Sequence, residues 1–316
     1  MTVKSDKINL SIVTALYNGE TTIAEFIERC MTVGDDFEGS YEIIIVDDGS
    51  ADRSVEIVTS LMQTYNHITL VELSRNFGQH QALRIGLNHT KGDLVFLLDS
   101  DLEEDPAWFT KFHDIFNQQN VDLVYGVREK RRKKWGKHFS GLGFFHIFNL
   151  LTPFNLAANM TSARLMSRRF VNVIVGMKEY KAFLPGLFGY AGFNHVTVPV
   201  HKHSSDTTTY STFKRWSLAL NAITSFSSRP LYYLMVCGLL IGLFAVLFLS
   251  VYVLMALKTG ASINLLVIIL ASIWMIAGGL LASIGLIGFY IARIFDEVKT
   301  RPYAVIKQTT HSSAKS

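Results

Sequence analysis

The chain contains 316 residues, carries a net charge of +4 at pH 7 and is 49% hydrophobic. This length allows one sizeable α/β domain with an additional module, and the hydrophobic content is high for a purely soluble protein, which indicates membrane segments. The two cysteines, Cys30 and Cys237, are too few for a disulfide framework, so a reduced, cytosolic compartment is expected. The polar N-terminus lacks the apolar stretch of a secretory signal peptide, and none is expected.

Predicted strands and helices alternate over the first part of the chain. Strands are expected at Ile8–Leu16, Tyr41–Val46, Ile68–Leu73, Leu94–Leu98 and Val121–Val127. The helices between them are expected at 21–33, 55–65, 79–89 and 108–118. This alternation predicts a mostly parallel, doubly wound sheet, with polar residues gathered in a crevice at the carboxyl ends of its strands.

Two aspartates in Asp-x-Asp spacing, Asp99 and Asp101, follow the apolar strand Leu94–Leu98 directly. A buried parallel strand delivers functional groups at its carboxyl end. Carboxylates gathered there repel one another unless a cation neutralises them, and both can reach one hard cation through oxygen. The spacing therefore predicts a divalent-metal site. The alternative is a solvated acidic turn that caps the next helix.

A strongly basic run precedes an aromatic segment. The run Arg128–Lys134 holds six basic residues, and residues 135–154 carry five phenylalanines and few acids. Cations at lipid headgroups with aromatics at the acyl boundary are typical of an interfacial helix, which we predict at 135–154. The alternative is a core helix preceded by a solvated basic loop.

Two long apolar spans close the chain. Leu231–Leu257 has no charged residue and, at ~1.5 Å per residue, would extend about 40 Å, enough to cross a bilayer with tilt. Ile263–Ala292 is expected to cross back, so 231–294 would form a transmembrane hairpin. An amphipathic juxtamembrane helix is predicted before it, at 213–230.

The distribution of positive charge predicts an orientation. Basic residues flank the hairpin on both sides, and only Lys258 lies between the two spans. The positive-inside rule then places the α/β domain (1–212) and both termini, including a tail at 295–316, in the cytoplasm. Small residues in the second span permit close helix packing and a homo-oligomer through the membrane helices. These residues are Gly278, Gly279, Ser283, Gly285 and Gly288.

Four strand-end segments resemble those of glycosyltransferase family 2. They are Ser11–Glu20, Val46–Ser50, Ser74–Gly78 and Asp99–Leu102. More narrowly, the chain is similar to the polyprenyl-phosphate glycosyltransferases, which include dolichol-phosphate mannose synthases and bactoprenol glucosyltransferases. The similarity continues through Arg164–Met166, Ser225–Ser227 and Glu297–Pro302, so it covers nearly the whole chain.

The resemblance implies a GT-A fold, a nucleotide-sugar donor, a divalent cation (Mg²⁺ or Mn²⁺) and a polyprenyl phosphate acceptor in the membrane. By matching position, the nucleoside would be bound by Leu16, Tyr17, Asn18, Glu20, Asp48, Asn76 and Ser100. Asp99 and Asp101 would hold the metal on the diphosphate, with Glu103 at a third position near it. For Asp48 the alternative role is that of a helix-capping acid.

Two arginines of the basic run are implied at the acceptor. Arg128 and Arg131 would bind the acceptor phosphate, because arginine offers forked donors to phosphate oxygens. The resemblance therefore gives Asp101, Arg128 and Arg131 as the catalytic residues. A generic patch for anionic lipid is the alternative role of the two arginines, and the two roles are compatible.

The chain departs from its relatives at two places. Ser162 stands where many relatives carry an acid, a candidate general base. A phosphate monoester has a second pKa near ~6, so the acceptor oxygen is already largely deprotonated and a base has little to do. His203 and Thr209 stand near positions where relatives often carry an arginine and a lysine, and His203 is a candidate substitute. These departures indicate an uncommon donor sugar, or a loop that tolerates change.

The expected function is inverting transfer of one sugar to undecaprenyl phosphate in the bacterial inner membrane, for surface-glycan or O-antigen modification, with no nucleic-acid partner. Two other functions stay open. A processive polysaccharide synthase would carry Gln-x-x-Arg-Trp, whereas Thr212–Trp216 supplies Arg-Trp without the glutamine. A non-catalytic membrane scaffold is the other, and the intact Asp99 and Asp101 argue against it.

Overall fold

The structure, a computed structural model, describes residues 7–128, 159–177, 183–201, 265–298 and 302–312, with isolated positions between 240 and 258. The chain divides into two compact units. The first comprises residues 1–222 together with 302–316, and the second comprises residues 223–301.

The first unit is an α/β domain. Its strands are β1 (Leu10–Leu16), β2 (Tyr41–Asp47), β3 (Ile68–Leu73), β4 (Leu94–Leu97), β5 (Leu123–Arg128), β6 (Met160–Ser167), β7 (His195–Val200) and β8 (Ile306–His311). Its helices are α1 (Ile23–Asp36), α2 (Ser54–Leu61), α3 (Gln79–His89), α4 (Trp108–Gln119), α5 (Arg168–Gly176) and α6 (Leu184–Tyr190). The helix α7 (Leu265–Val298) lies in the second unit.

The eight strands form one sheet in the order β7-β5-β6-β4-β1-β2-β3-β8. β1 runs parallel to both β2 and β4, β2 runs parallel to β3, and β5 runs parallel to β7. β6 and β8 are antiparallel to their neighbours. The predicted mostly parallel sheet is confirmed, and the carboxyl ends of β1 to β4 meet at one edge of it.

The buried core explains why these segments form strands and helices. Every residue of β2 is buried, which is typical of a parallel strand covered on both faces. α1 turns Phe26, Ile27 and Cys30 into the core from one face, as the sequence pattern predicts. Burial raises the pKa of the Cys30 thiol well above its usual range, which makes this cysteine a packing residue.

The strand β8 was not expected within the predicted tail 295–316. It pairs antiparallel with β3, and the flanking Ser74 N–H donates to the Val305 carbonyl at 2.9 Å. At the other end, Ser312 N–H donates to the Ile68 carbonyl at 3.0 Å. Its residues are nearly all exposed, so the sequence has no apolar alternation to reveal the strand. Backbone pairing with the edge of β3 is what defines it.

Several membrane predictions fall on residues that the structure leaves undescribed. These are the interfacial helix 135–154, the juxtamembrane helix 213–230 and, except for isolated positions, the first span of the hairpin. Among the described residues, no helix combines the length and the hydropathy needed to cross a membrane. The two-helix hairpin at 231–294 is therefore not confirmed and stays a prediction.

The pairing of β8 predicts a position-dependent effect of proline. Alternate residues of an antiparallel strand point their N–H groups at the partner, so Thr310, two residues before Ser312, donates to β3 and Thr309 does not. Thr310→Pro removes this donor and should lower the free energy of unfolding by about 1–3 kcal/mol. Thr309→Pro is the matched control, with a smaller expected loss. Thermal unfolding of the purified proteins measures both, and equal losses would contradict this pairing.

Candidate active site

The loops that follow β1 and β2 are joined by reciprocal hydrogen bonds. Asn18 N–H donates to Ser50 Oγ at 2.9 Å, and Ala51 N–H donates to Asn18 Oδ1 at 2.9 Å. Glu20 N–H donates to Asp52 Oδ2 at 3.1 Å. Two residues predicted to bind the nucleoside, Asn18 and Glu20, thus shape this paired loop through their own backbone and side chains. The neighbouring Tyr17 is 53% exposed and presents its ring to solvent.

Asp48 connects the end of β2 to the loop after β3. Its two carboxylate oxygens accept backbone N–H bonds from Phe77 at 2.7 Å and Gly78 at 2.8 Å. Burial raises the pKa of this carboxyl, while the two N–H groups act in the opposite direction. Since Gly78 directly precedes α3, the carboxylate lies at the start of that helix. Among the described residues no side chain caps α3, and the two N–H groups that Asp48 accepts precede the helix, so these bonds do not make Asp48 a helix-capping acid.

The predicted metal loop follows β4. Asp99 Oδ1 accepts a hydrogen bond from Gln79 Nε2 at 2.7 Å, and Ser100 Oγ donates to the Ala15 carbonyl at 2.9 Å. Asp101 is exposed, and its Oδ1 accepts the Glu103 N–H at 3.0 Å. Leu102 between them has φ +59°, a left-handed conformation that is rare for a leucine. A strained residue between two acids is typical of a functional turn.

The donor set of this loop fits a hard cation that is shared with a substrate. Within the described residues, no three His, Cys, Asp or Glu side chains are grouped so as to hold a metal by themselves. Glu103 is therefore not brought together with Asp99 and Asp101 as a third ligand. Mg²⁺ is commonly bound through one or two carboxylates, with substrate phosphates and water completing its shell. Two carboxylates at a strand end match that mode.

Two buried charged residues, Glu104 and Arg164, lie beside the metal loop. Glu104 is fully buried, and its Oε1 accepts the Ser162 N–H at 2.8 Å. Arg164 is also buried, with its guanidinium 4.5 Å from the centre of the Phe188 ring. Burial lowers the pKa of Arg164 to about 10, and the negative charges of Glu104 and Asp99 counteract that shift. The arginine therefore stays cationic at neutral pH and balances these acids.

The remaining predicted residues are placed as follows. Arg128 ends β5, is exposed, and donates its N–H to the Asn159 carbonyl at 2.7 Å. Leu16 accepts the Asp48 N–H at 2.8 Å, and Asn76 is exposed in the loop after β3. Arg131 and His203 lie outside the described residues. Sequence reasoning gave no role to Glu104 and treated Arg164 only as a family match, because neither the burial of Glu104 nor the proximity of Arg164 to Asp99 is visible in a linear pattern.

The family model described as glycosyl transferase family 2 matches residues 11–174, which hold β2 to β6, all of β1 except its first residue, and every described site residue above. A protein of Mycobacterium tuberculosis named as a glycosyltransferase is 35% identical over 307 residues, which is 95% of this chain and 88% of that one. The chain belongs to glycosyl transferase family 2. It is thus a glycosyltransferase with a GT-A-like domain, and the predicted family is confirmed.

Further relatives of this family 2 chain are named more specifically. The undecaprenyl-phosphate 4-deoxy-4-formamido-L-arabinose transferase of Edwardsiella ictaluri is 28% identical, over 96% of this chain and 95% of that protein. Mannosyl-3-phosphoglycerate synthase from Rubrobacter xylanophilus shares the fold, with a TM-score of 0.53 and 16% identity, over 69% of this chain and 73% of that one. Glucosyl-3-phosphoglycerate synthase from Mycobacterium tuberculosis, solved with Mn²⁺ and uridine-diphosphate-glucose, has a TM-score of 0.50 and 18% identity, over 69% and 78% of the two chains.

The environment of His80 predicts that the stability of the folded protein depends on pH. Burial and the positive charge of Arg164 lower the pKa of His80 to about 4, from 6.5 in an exposed histidine. Between pH 4 and pH 6.5 the unfolded chain therefore binds more protons than the folded protein does. The free energy of unfolding should fall as the pH decreases from 6.5 towards 4. His80→Phe keeps a ring against Phe183, whose centroid lies 5.6 Å away, and removes the titration.

Thermal unfolding of the wild type and of His80→Phe between pH 7 and pH 5 measures this contribution. The wild type should lose more stability than the variant over this range, because only the wild type must keep a histidine neutral on folding. Equal pH slopes of the two proteins would show that the His80 ring accepts a proton in the folded state.

Proposed function

We propose that this chain transfers one sugar from a nucleotide-sugar donor to polyprenyl phosphate, with inversion at the anomeric carbon. One observation carries the proposal: the paired loop around Asn18 and the Asp99–Asp101 loop lie at the same carboxyl edge of the sheet. The near full-length similarity to undecaprenyl-phosphate sugar transferases supports the acceptor. The departures at Ser162 and His203 leave the donor sugar open.

On the donor side, the nucleoside would lie against the loops after β1 and β2. Asp99 and Asp101 would hold the divalent cation, which neutralises charge on the leaving diphosphate when it is bound. Before the donor binds, Gln79 already holds Asp99 through a hydrogen bond of 2.7 Å. Ser100 is held by its hydrogen bond of 2.9 Å to the Ala15 carbonyl. Such preorganisation lowers the cost of positioning the acids at the moment of transfer.

On the acceptor side, a phosphate oxygen of the lipid would attack the anomeric carbon from the face opposite the diphosphate. The new carbon–oxygen bond forms as the bond to the nucleoside diphosphate breaks, and the diphosphate departs with the bonding electrons. Arg128, and Arg131 three residues later, would orient the acceptor phosphate. No proton has to be removed from a largely ionised phosphate, so Ser162 need not act as a base.

We further propose that the protein is held in the bacterial cytoplasmic membrane, with the catalytic domain and both termini on the cytoplasmic side, and that it serves surface-glycan modification. Large apolar side chains remain exposed along α7, from Leu266 at 69% to Val298 at 72%. Such a surface is costly in water and favourable in lipid or against another membrane helix. The predicted interfacial helix 135–154 would bring the arginines to the lipid headgroups.

The first test is direct. Purified protein is incubated with polyprenyl phosphate and a panel of nucleotide sugars, with and without Mn²⁺, and the lipid product is identified by mass spectrometry. One nucleotide sugar should give a mono-glycosylated lipid phosphate, and Asp101→Asn should lower the rate by at least about a hundredfold. Asp105→Asn in the same acidic run is the matched control and should stay active. Unchanged lipid glycosylation in Asp101→Asn would refute the proposal.

A second test addresses Ser162, which stands where many relatives carry an acid. Ser162→Ala should change the transfer rate by less than about tenfold, because the acceptor oxygen is already ionised at neutral pH. Single-turnover measurements isolate the chemical step from substrate binding and product release. A loss of several hundredfold would mean that the Ser162 hydroxyl takes part in proton transfer, contrary to this mechanism.

A further inference from the structure

The metal loop, residues 99–103, is held at its start by neighbouring elements. Asp99 accepts a hydrogen bond of 2.7 Å from the first residue of α3, and Ser100 donates one of 2.9 Å to a carbonyl of β1. These bonds fix the first two residues of the loop. The position of Asp101, the second proposed metal ligand, also depends on how the far end of the loop is held.

Glu104 holds the far end of the loop. It follows the loop directly, it is completely buried, and its Oε1 accepts the Ser162 N–H at 2.8 Å. Ser162 lies in β6, which pairs with β5 on its other side, where the Arg128 N–H also donates to the Asn159 carbonyl at 2.7 Å. The bond to Glu104 therefore ties the metal loop to a strand that its neighbours in the sheet already fix.

The register of β4 against β6 shows what this bond replaces. Leu97, the last residue of β4, lies opposite Arg164 of the antiparallel β6. If the ladder were two residues longer, the Ser162 N–H would donate to the Asp99 carbonyl. In the structure the ladder ends at Leu97, and Glu104 Oε1 accepts this N–H instead. The chain can therefore leave the sheet at Asp99 without leaving a strand N–H unpaired.

The same bond helps to hold the strained residue of the loop. Leu102, two residues before Glu104, has φ +59° and packs its side chain against the hydrophobic core. A leucine stays in this left-handed conformation where the surrounding structure constrains it more than once. Core packing at Leu102 and the hydrogen bond at Glu104 supply two such constraints. Asp101 lies directly before the turn that they hold.

The charge of Glu104 is balanced by a buried cation. Arg164 is buried as well, and its guanidinium lies 4.5 Å from the centre of the Phe188 ring. Burial lowers the pKa of Arg164, and the charge of Glu104 is the largest of the effects that oppose this shift. Glu104 is thus both a hydrogen-bond acceptor for β6 and a countercharge for Arg164. A neutral amide in its place would keep the first of these roles and lose the second.

We propose that Glu104 is a positioning residue for sugar transfer, which holds Asp99 and Asp101 in the arrangement that binds the divalent cation. The hydrogen bond to the Ser162 N–H sets the geometry of the loop, whereas the charge of Glu104 stabilises the fold through Arg164. The inference rests on the proposed function, since it takes the two aspartates as metal ligands. It also gives position 162 a role through its backbone N–H, which Ser162→Ala retains.

The experiment measures the affinity of the purified full-length protein for Mn²⁺ in the presence of UDP, GDP, CDP or ADP, with free Mn²⁺ detected by electron paramagnetic resonance. Glu104→Gln keeps an oxygen acceptor and removes the charge. Glu104→Asp keeps the charge and shortens the side chain, and Glu104→Leu removes both the acceptor and the charge. Asp105→Asn, in the same acidic run, is the matched control. Thermal unfolding measures the stability of each variant separately.

With the nucleotide that best supports Mn²⁺ binding, Glu104→Leu and Glu104→Asp should raise the Kd for Mn²⁺ by at least about tenfold. Glu104→Gln should stay within about threefold of the wild type but unfold at a lower temperature, because Arg164 loses its countercharge. If Glu104 served stability alone, the loss of Mn²⁺ affinity would instead follow the loss of stability. Asp105→Asn should bind Mn²⁺ like the wild type. If Glu104→Leu does not fold, Glu104→Asp decides the test, because it keeps the buried charge.

Two results would overturn the inference alone: an unchanged Mn²⁺ affinity in Glu104→Asp, or a loss in Glu104→Gln as large as that in the other two variants. A wild type that binds no Mn²⁺ with any of the four nucleotides would overturn both the inference and the proposed metal site. A wild type and variants that bind Mn²⁺ in the expected order, without glycosylation of polyprenyl phosphate by the wild type, would refute only the proposed acceptor, because the binding measurement contains no acceptor.

Discussion

The hydrogen bonds of Asp48 hold the functional edge of the sheet in place. A buried carboxylate is costly unless its oxygens are satisfied, and here two backbone N–H groups from the next loop satisfy them. The loop after β3 must therefore fold back over the end of β2, and α3 begins where this contact ends, at Gln79. The loop that Asp48 holds thus leads directly into the helix whose first residue contacts the metal loop.

α3 then connects three parts of the domain. Its first residue, Gln79, donates to Asp99 at 2.7 Å in the loop after β4. Farther along, the Arg84 guanidinium lies 4.2 Å from the centre of the Tyr303 ring, in the segment that follows the second unit. The loop after β4 and the C-terminal segment therefore both contact this helix, and the residues just before it, Phe77 and Gly78, donate to Asp48 at the end of β2.

The sequence predicted the parts of this arrangement that depend on regular patterns. Apolar runs such as Leu94–Leu98 identified the strands, and the acids after them identified the site, because buried parallel strands leave a local signature. Arg164 was missed as a neighbour of the metal loop, since its proximity is created by the antiparallel pairing of β4 with β6, and the burial of Glu104 was not visible in the acidic run. β8 was missed because it contributes backbone pairing rather than apolar side chains.

The pairing of β8 with β3 also limits how many times the chain can cross a membrane between β7 and β8. β1 to β7 precede the second unit, residues 223–301, in sequence, and β8 follows it, yet all eight strands belong to one sheet. A sheet lies on one side of a membrane, so a segment that leaves it and returns to it crosses a bilayer an even number of times, if it crosses at all. A single crossing would place β8 on the opposite side from β3 and prevent their pairing. Two crossings, the number proposed from the apolar spans, are compatible with all eight strands lying in one sheet.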